Sequence, residues 1–232
     1  MPQAMLIDVL TIFRNMFDGP LSCGNIRIAK EKGLVDIRIW DIRDFTSDKH
    51  RRVDDYPYGG GPGMIMKIEP IFRAVKACSD EAAKVILLSP QGRLFTQVVA
   101  RELSREKHLI FICGRYKGVD ERVREYLVDE EISIGDYVLS GGELATMVII
   151  DAIVRLIPGV LENRESVLTD SFEENILDAP YYTRPPDFEG MKVPEVLLSG
   201  NHALIRAWRK QKQEERTKIW LEERGRACGY HK

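Results

Sequence analysis

Apolar and polar positions along this 232-residue chain switch between two periods. Alternation by two, or a short unbroken apolar run, predicts strands at Met5–Thr11 (MLIDVLT), Val35–Asp41 (VDIRIWD), Lys84–Ser89 (KVILLS), His108–Cys113 (HLIFIC) and Glu131–Ile134. Apolar residues three and four apart predict helices over residues 22–32, Ile68–Asp80, Thr96–Ser104 and Val119–Leu127. From Glu143 the apolar positions Leu144, Met147, Val148, Ile150, Ile153, Val154 and Ile157 predict a longer helix. Strand and helix alternate, which predicts an α/β domain with a mostly parallel sheet.

Three successive predicted strands end in turn-rich loops. They are Ser89-Pro90-Gln91-Gly92, Gly114-Arg115-Tyr116-Lys117-Gly118 and Gly135-Asp136-Tyr137-Val138-Leu139-Ser140-Gly141-Gly142. In a parallel sheet such loops emerge at one edge, where α/β proteins bind ligands. Glycines there let main chain approach a planar polar ligand such as an adenine ring. An ordinary strand-to-helix connection would use the same residues. Residues 42–67, with DKHRRVDDYPYGGGPGM, have little period and read as a functional or disordered loop, in which Gly59–Gly63 is a mobile lid, a backbone contact surface or a plain flexible turn.

After Ile157 comes Pro158-Gly159 and a polar stretch, which places an interdomain linker at 161–176. The expected division is a ligand-binding domain over 1–160, that linker, and a helical domain over 177–232. Asn201 is placed to cap a final helix carrying Leu204, Ile205 and Trp208 on its apolar side.

Charge adds one feature. Residues 201–232 hold nine Lys/Arg and four Glu, a balance of +5, so the remaining chain carries −7 to give the overall −2. A basic tail on an acidic body suits an anionic partner, with nucleic acid first, although a solvated amphipathic helix would look the same. No run is apolar enough to span a bilayer, and MPQAMLIDVLTIF reads as a first strand rather than a secretory signal, so a cytoplasmic protein is expected. Cys23, Cys78, Cys113 and Cys228 form no CxxC pair, which argues for free thiols and against zinc. The chain lacks GxGxxG after a strand, GxxxxGK[ST], HExxH and GxSxG, so the usual dinucleotide, phosphate-loop and two hydrolase signatures are missing.

Two residues near the linker could carry chemistry. Asp170 could serve as a general base, or could cap a helix with Glu173 three residues on. Arg155 could stabilise charge on an oxygen, or simply suit the C-terminal end of its helix.

Five strings stand in order along the chain: DDYPYGGGPGM (54–64), LSPQGRLF (88–95), CGRYKGVDER (113–122), IGDYVLSGGEL (134–144) and DSFEENILDAPYYTRP (170–185). Together they resemble the bacterial tRNA (guanine-N1)-methyltransferases, of the SPOUT class, over Leu6 to Trp220. The resemblance implies a trefoil-knotted α/β domain with a small helical C-terminal domain. It implies S-adenosylmethionine as donor, held by Pro90, Gly114, Ile134, Gly135, Asp136, Tyr137, Val138, Leu139 and Gly141. It further implies a homodimer with active sites between subunits, and N1 methylation of guanosine 37, next to the tRNA anticodon. Asp170 then becomes the general base rather than a cap, and Arg155 the partner of the guanine oxygen. The segment carrying Asp170 is expected to order on tRNA, and the basic helices to grip the anticodon stem-loop.

Two positions depart from the family pattern. Lys117 stands where the family usually has a glutamate linked to donor orientation and Mg2+ dependence. A lysine cannot ligate a cation, so the Mg2+ role does not carry over to this position. Ala145 stands where a proline is usual. Other readings of the same motifs are methylation of a different RNA position, such as a ribose 2′-hydroxyl, and a non-catalytic RNA-binding dimer.

Overall fold

The computed structural model describes residues 4–161, 170–172 and 175–227. The chain divides into two compact units, residues 1–162 and 163–232.

The first unit is built on a five-stranded sheet of β1 (Met5–Thr11), β2 (Val35–Asp41), β5 (Ala83–Leu94), β6 (His108–Ile112) and β7 (Glu130–Ser133). Its spatial order is β2-β1-β6-β5-β7, and every pairing is parallel. The helices are α1 (Gly24–Glu31), α2 (Ile68–Cys78), α3 (Gln97–Leu103), α4 (Glu121–Leu127) and α5 (Glu143–Val154). Both faces of the sheet are covered. Ile7, Val9, Ile86, Leu109, Phe111 and Ile132 pack with residues of α1, α3 and α5 on one side. Leu10, Val85, Leu87, Ile110 and Ile112 pack with α2 and α4 on the other. Double coverage is why β6 reads as a continuous apolar run, since all five of its residues are buried.

The predicted strands and helices appear with shifted ends. The largest shift is in β5, which runs on to Leu94 instead of stopping at Ser89. Leu88 and Arg93 both pair with Ile132, so residues 89–92 leave the ladder and return to it. The stretch between residues 42 and 67 also gains structure. Asp54–Asp55 (β3) and Ile65–Met66 (β4) form an antiparallel ribbon with the glycine-rich segment at its tip. Met66 donates to Gly118 O at 3.0 Å, and Asp120 donates to Met66 O at 2.9 Å. That docking is why Val119 lies outside α4, whose cap is the Asp120 carboxylate.

One buried charge lies inside the sheet. Asp8 on β1 accepts from Arg38 Nε (2.7 Å), Arg38 Nη2 (2.5 Å) and Trp40 Nε1 (2.6 Å), with His108 Nε2 at 2.9 Å. Several donors on one carboxylate offset the cost of taking it out of water. The hydrogen bond to Asp8 holds the Arg38 guanidinium above its usual range.

The second unit contains α6 (Glu195–Leu198), α7 (His202–Ala227) and a two-stranded ribbon of β8 (Asp187–Phe188) and β9 (Met191–Lys192). Asn201 caps α7 as expected, its Oδ1 accepting from Ala203 N at 3.1 Å and Leu204 N at 3.2 Å. No helix among the described residues is long and apolar enough to cross a membrane.

Candidate active site

The strand order puts the C-terminal ends of β6, β5 and β7 side by side, so the three loops predicted from sequence line one cavity of about 480 Å³. That volume suits a small-molecule ligand. Pro90, Gly114, Ile134, Gly135, Tyr137, Val138, Leu139 and Gly141 all line it, whereas Asp136 does not and is exposed. The rest of the lining combines apolar Leu87, Leu88, Val119, Ile132 and Ala145 with polar and cationic residues, among them Ser89, Gln91, Arg115, Lys117 and Arg124.

The cavity wall is braced by residues that sequence reasoning passed over. Glu143 opens α5 and is fully buried. Its Oε1 accepts from Thr11 Oγ1 at 2.8 Å and its Oε2 from Arg115 Nε at 3.0 Å. The Arg115 guanidinium also stacks 4.5 Å from the Phe13 ring centroid. Gly142 N donates to Gly114 O at 3.0 Å, and Thr146 Oγ1 donates to Gly142 O at 2.9 Å. These bonds tie the end of β1, the loop after β6 and the start of α5 together. The available signal was a glutamate next to two glycines at the mouth of an apolar helix, where an acidic side chain also suits the helix dipole.

Gly92 shows how closely the loops approach. A Cβ there would lie 2.5 Å from Glu131 C and from Ile132 N, which are backbone atoms of β7 and cannot step aside. Gly92→Ala is therefore expected to force β5 and β7 apart. The expected loss is about 1–3 kcal/mol of stability, together with weaker ligand binding in the cavity. Urea unfolding and calorimetric titration of the variant check this, and a wild-type midpoint would contradict it.

Cys113 directly follows β6 and is buried, with its Sγ 3.2 Å from Thr146 Oγ1. Burial pushes its thiol far above the usual range, so it is not a nucleophile. Burial also raises the Tyr116 phenol at the rim. Cys23, Cys78 and Cys113 are free thiols, and Cys228 lies outside the described residues. Among the described residues no group of three or more His, Cys, Asp or Glu side chains is placed to hold a metal ion.

Arg155 follows α5 and is half-buried, its N–H donating to Asp151 O at 3.3 Å. Asp170 belongs to the second unit, at a half-buried bend. The segment that follows it is held along α7. Phe172 packs on Trp220 with ring centroids 5.4 Å apart, and Leu177 N donates to Thr217 Oγ1 at 2.9 Å. Arg216 Nη1 donates to Asp178 O at 3.3 Å, and Tyr182 meets Trp208 at 6.4 Å. Glu173, the second member of the alternative cap, and most of the predicted linker lie outside the described residues.

Comparison with known proteins settles the family. The family described as tRNA (Guanine-1)-methyltransferase TrmD matches residues 5–223. The chain belongs to that family. A tRNA (guanine-N(1)-)-methyltransferase of Dictyoglomus turgidum is 58% identical over 211 residues, covering 91% of this chain and 86% of the relative. One from Carboxydothermus hydrogenoformans is 58% identical over 207 residues, covering 89% and 82%. One from Geobacillus kaustophilus is 56% identical over 215 residues, covering 92% and 88%. A methyltransferase of this family uses a methyl donor, and the three-loop cavity has the volume for a small molecule. Asp170 and Arg155 are the acid–base and charge-stabilising candidates.

Proposed function

We propose that this protein transfers a methyl group from S-adenosylmethionine to N1 of guanosine 37 in tRNA, with Asp170 as general base. The observation that carries the reading is the single cavity formed by the ends of β5, β6 and β7. Its apolar floor suits an adenine ring, and its main-chain rim suits hydrogen bonding to the ring's edge. Its charged lining contains no carboxylate, and family membership supplies the reaction class. Pro90, Gly114, Ile134, Gly135, Tyr137, Val138, Leu139 and Gly141 would hold the donor, with Asp136 at most a neighbour of it. Bound there, S-adenosylmethionine supplies an electrophilic methyl group on a sulfonium.

The protein's own part is proton and charge management. Guanine N1 carries a proton at neutral pH and is a poor nucleophile until it is removed. Asp170 takes that proton, and the Arg155 guanidinium stabilises the negative charge that spreads onto O6. The segment held along α7 positions Asp170. The exposed basic side chains of α7, including Arg206, Lys210 and Lys218, would meet the phosphates of the anticodon stem-loop. The ligand-binding domain is then the first unit, with the trefoil knot of its class, and the tRNA-binding domain is the second.

A homodimer belongs to the same reading. Helix α5 is apolar nearly all round, and a helix of that kind is normally buried on every side. Yet Leu144 is 52% exposed and Val148, one turn on, is 50% exposed. A second copy is the proposed cover for this face, and in the dimer that the reading requires, the donor cavity of one subunit works with Asp170 of the other. Mixed dimers test this sharing. Gly92→Ala disables the cavity in one subunit and Asp170→Ala removes the base in the other. Mixed dimers purified after co-expression are expected to regain one working site of two, about half of wild-type transfer to a tRNA transcript. Activity no higher than that of either variant alone would contradict shared sites.

A methyltransferase acting on a ribose hydroxyl is the second reading. The half-buried carboxylate at Asp170 favours the ring nitrogen, whose proton must be taken before transfer.

A further inference from the structure

Three cationic side chains line the cavity, Arg115, Lys117 and Arg124, and no Asp or Glu does. Two are already engaged. Arg115 pairs with Glu143 at 3.0 Å, and Arg124 pairs with Glu131 at 2.9 Å and Glu121 at 3.3 Å. Lys117 has no ion-pair partner among the described residues and is exposed. Its backbone is nevertheless fixed, because Lys117 N donates to Met64 O at 3.0 Å. Its stem lies across Gly63, where a Cβ would come 2.8 Å from Lys117 Cγ. Gly63 has φ +94°, a conformation that other residues rarely adopt. The ribbon of β3 and β4 therefore carries its glycine-rich tip against Lys117 and limits where the ammonium group can go.

We propose that Lys117 anchors the carboxylate of the amino-acid end of the methyl donor, and thereby sets which way the donor lies. The proposal rests on the donor-cavity reading above. A sulfonium donor of this kind carries two positive groups and one carboxylate. A cavity whose charged lining is wholly cationic, with one ammonium left unengaged, attracts only the carboxylate. The charge-assisted bond thus directs the amino-acid end toward the loop after β6 and leaves the apolar floor for the adenine. Gly63 acts as a positioning residue, because any side chain there would displace the Lys117 stem.

Calorimetric titration with three adenosine thioethers tests the assignment without turnover. S-adenosylhomocysteine has the carboxylate, its decarboxylated analogue lacks it, and 5′-methylthioadenosine lacks the whole amino-acid end. The wild-type protein is expected to bind S-adenosylhomocysteine roughly tenfold more tightly than the decarboxylated analogue. Lys117→Met is expected to bind those two alike while keeping wild-type affinity for 5′-methylthioadenosine. Lys117→Glu is expected to reverse the preference. If Lys117→Met still discriminates tenfold, the assignment is overturned while the donor cavity stands. If it discriminates but loses tRNA affinity, the ammonium serves a phosphate and the assignment is also overturned. If 5′-methylthioadenosine fails to bind even the wild type, the donor-cavity reading itself falls.

Discussion

Replacing Asp170 by alanine is expected to lower methyl transfer to tRNA by roughly two to four orders of magnitude, the range of a lost general base. Donor binding should stay at the wild-type level, because the cavity is built from residues of the first unit and Asp170 belongs to the second. The segment should also stay folded. Its attachment to α7 runs through Phe172, Leu177, Asp178 and Tyr182, none of which is altered. Single-turnover transfer and donor titration on one preparation separate the two effects. A lesser variant refines the assignment. Asp170→Asn keeps the shape and cannot take the proton, so it should be as inactive as alanine. Turnover near the wild-type rate in either variant would remove Asp170 from the chemistry.

The second large effect is structural. Glu143→Ala should cost about 3 kcal/mol or more, because it leaves the Arg115 guanidinium and the Thr11 hydroxyl without their acceptor in a buried setting. Against a typical stability of about 5–15 kcal/mol this is a large fraction. Donor affinity should fall with it, since Arg115 holds the loop after β6 against the start of α5. Glu143→Gln retains one acceptor oxygen and should lose less. Urea unfolding read against donor titration measures both. A stable alanine variant with full donor affinity would mean that the network does not brace the cavity.

Much of this arrangement was readable from local pattern. The alternation in VDIRIWD put Arg38 and Trp40 on one face of a strand, and the structure uses that face to reach Asp8. What the pattern could not give was the partner, because Asp8 and His108 meet across 100 residues of chain. The same limit hid the cavity brace. In sequence Glu143 marked only the start of a helix, but Thr11 approaches it from 132 positions away and it is fully buried. Strand order was likewise invisible, because nothing local states that β7 pairs with β5 rather than with β6. The three glycine-bearing loops were legible individually, and that order is what brings them to one cavity. The excursion at 89–92 looked like a strand end because a serine, a proline and a glycine end most strands. Here the ladder resumes after them. Asp136 stands in the same string as the lining residues, yet it is exposed and does not line the cavity.

In the proposed chemistry a base on the second unit takes the proton from guanine N1 while the cavity of the first holds the methyl donor. Nucleoside analysis of a tRNA transcript carrying guanosine at position 37, after incubation with the protein and S-adenosylmethionine, tests it most directly. The expected product is one 1-methylguanosine per transcript at that position, absent when the guanosine is replaced by adenosine. A transcript without added methyl, or with the methyl on a ribose oxygen or another nucleoside, would contradict the account.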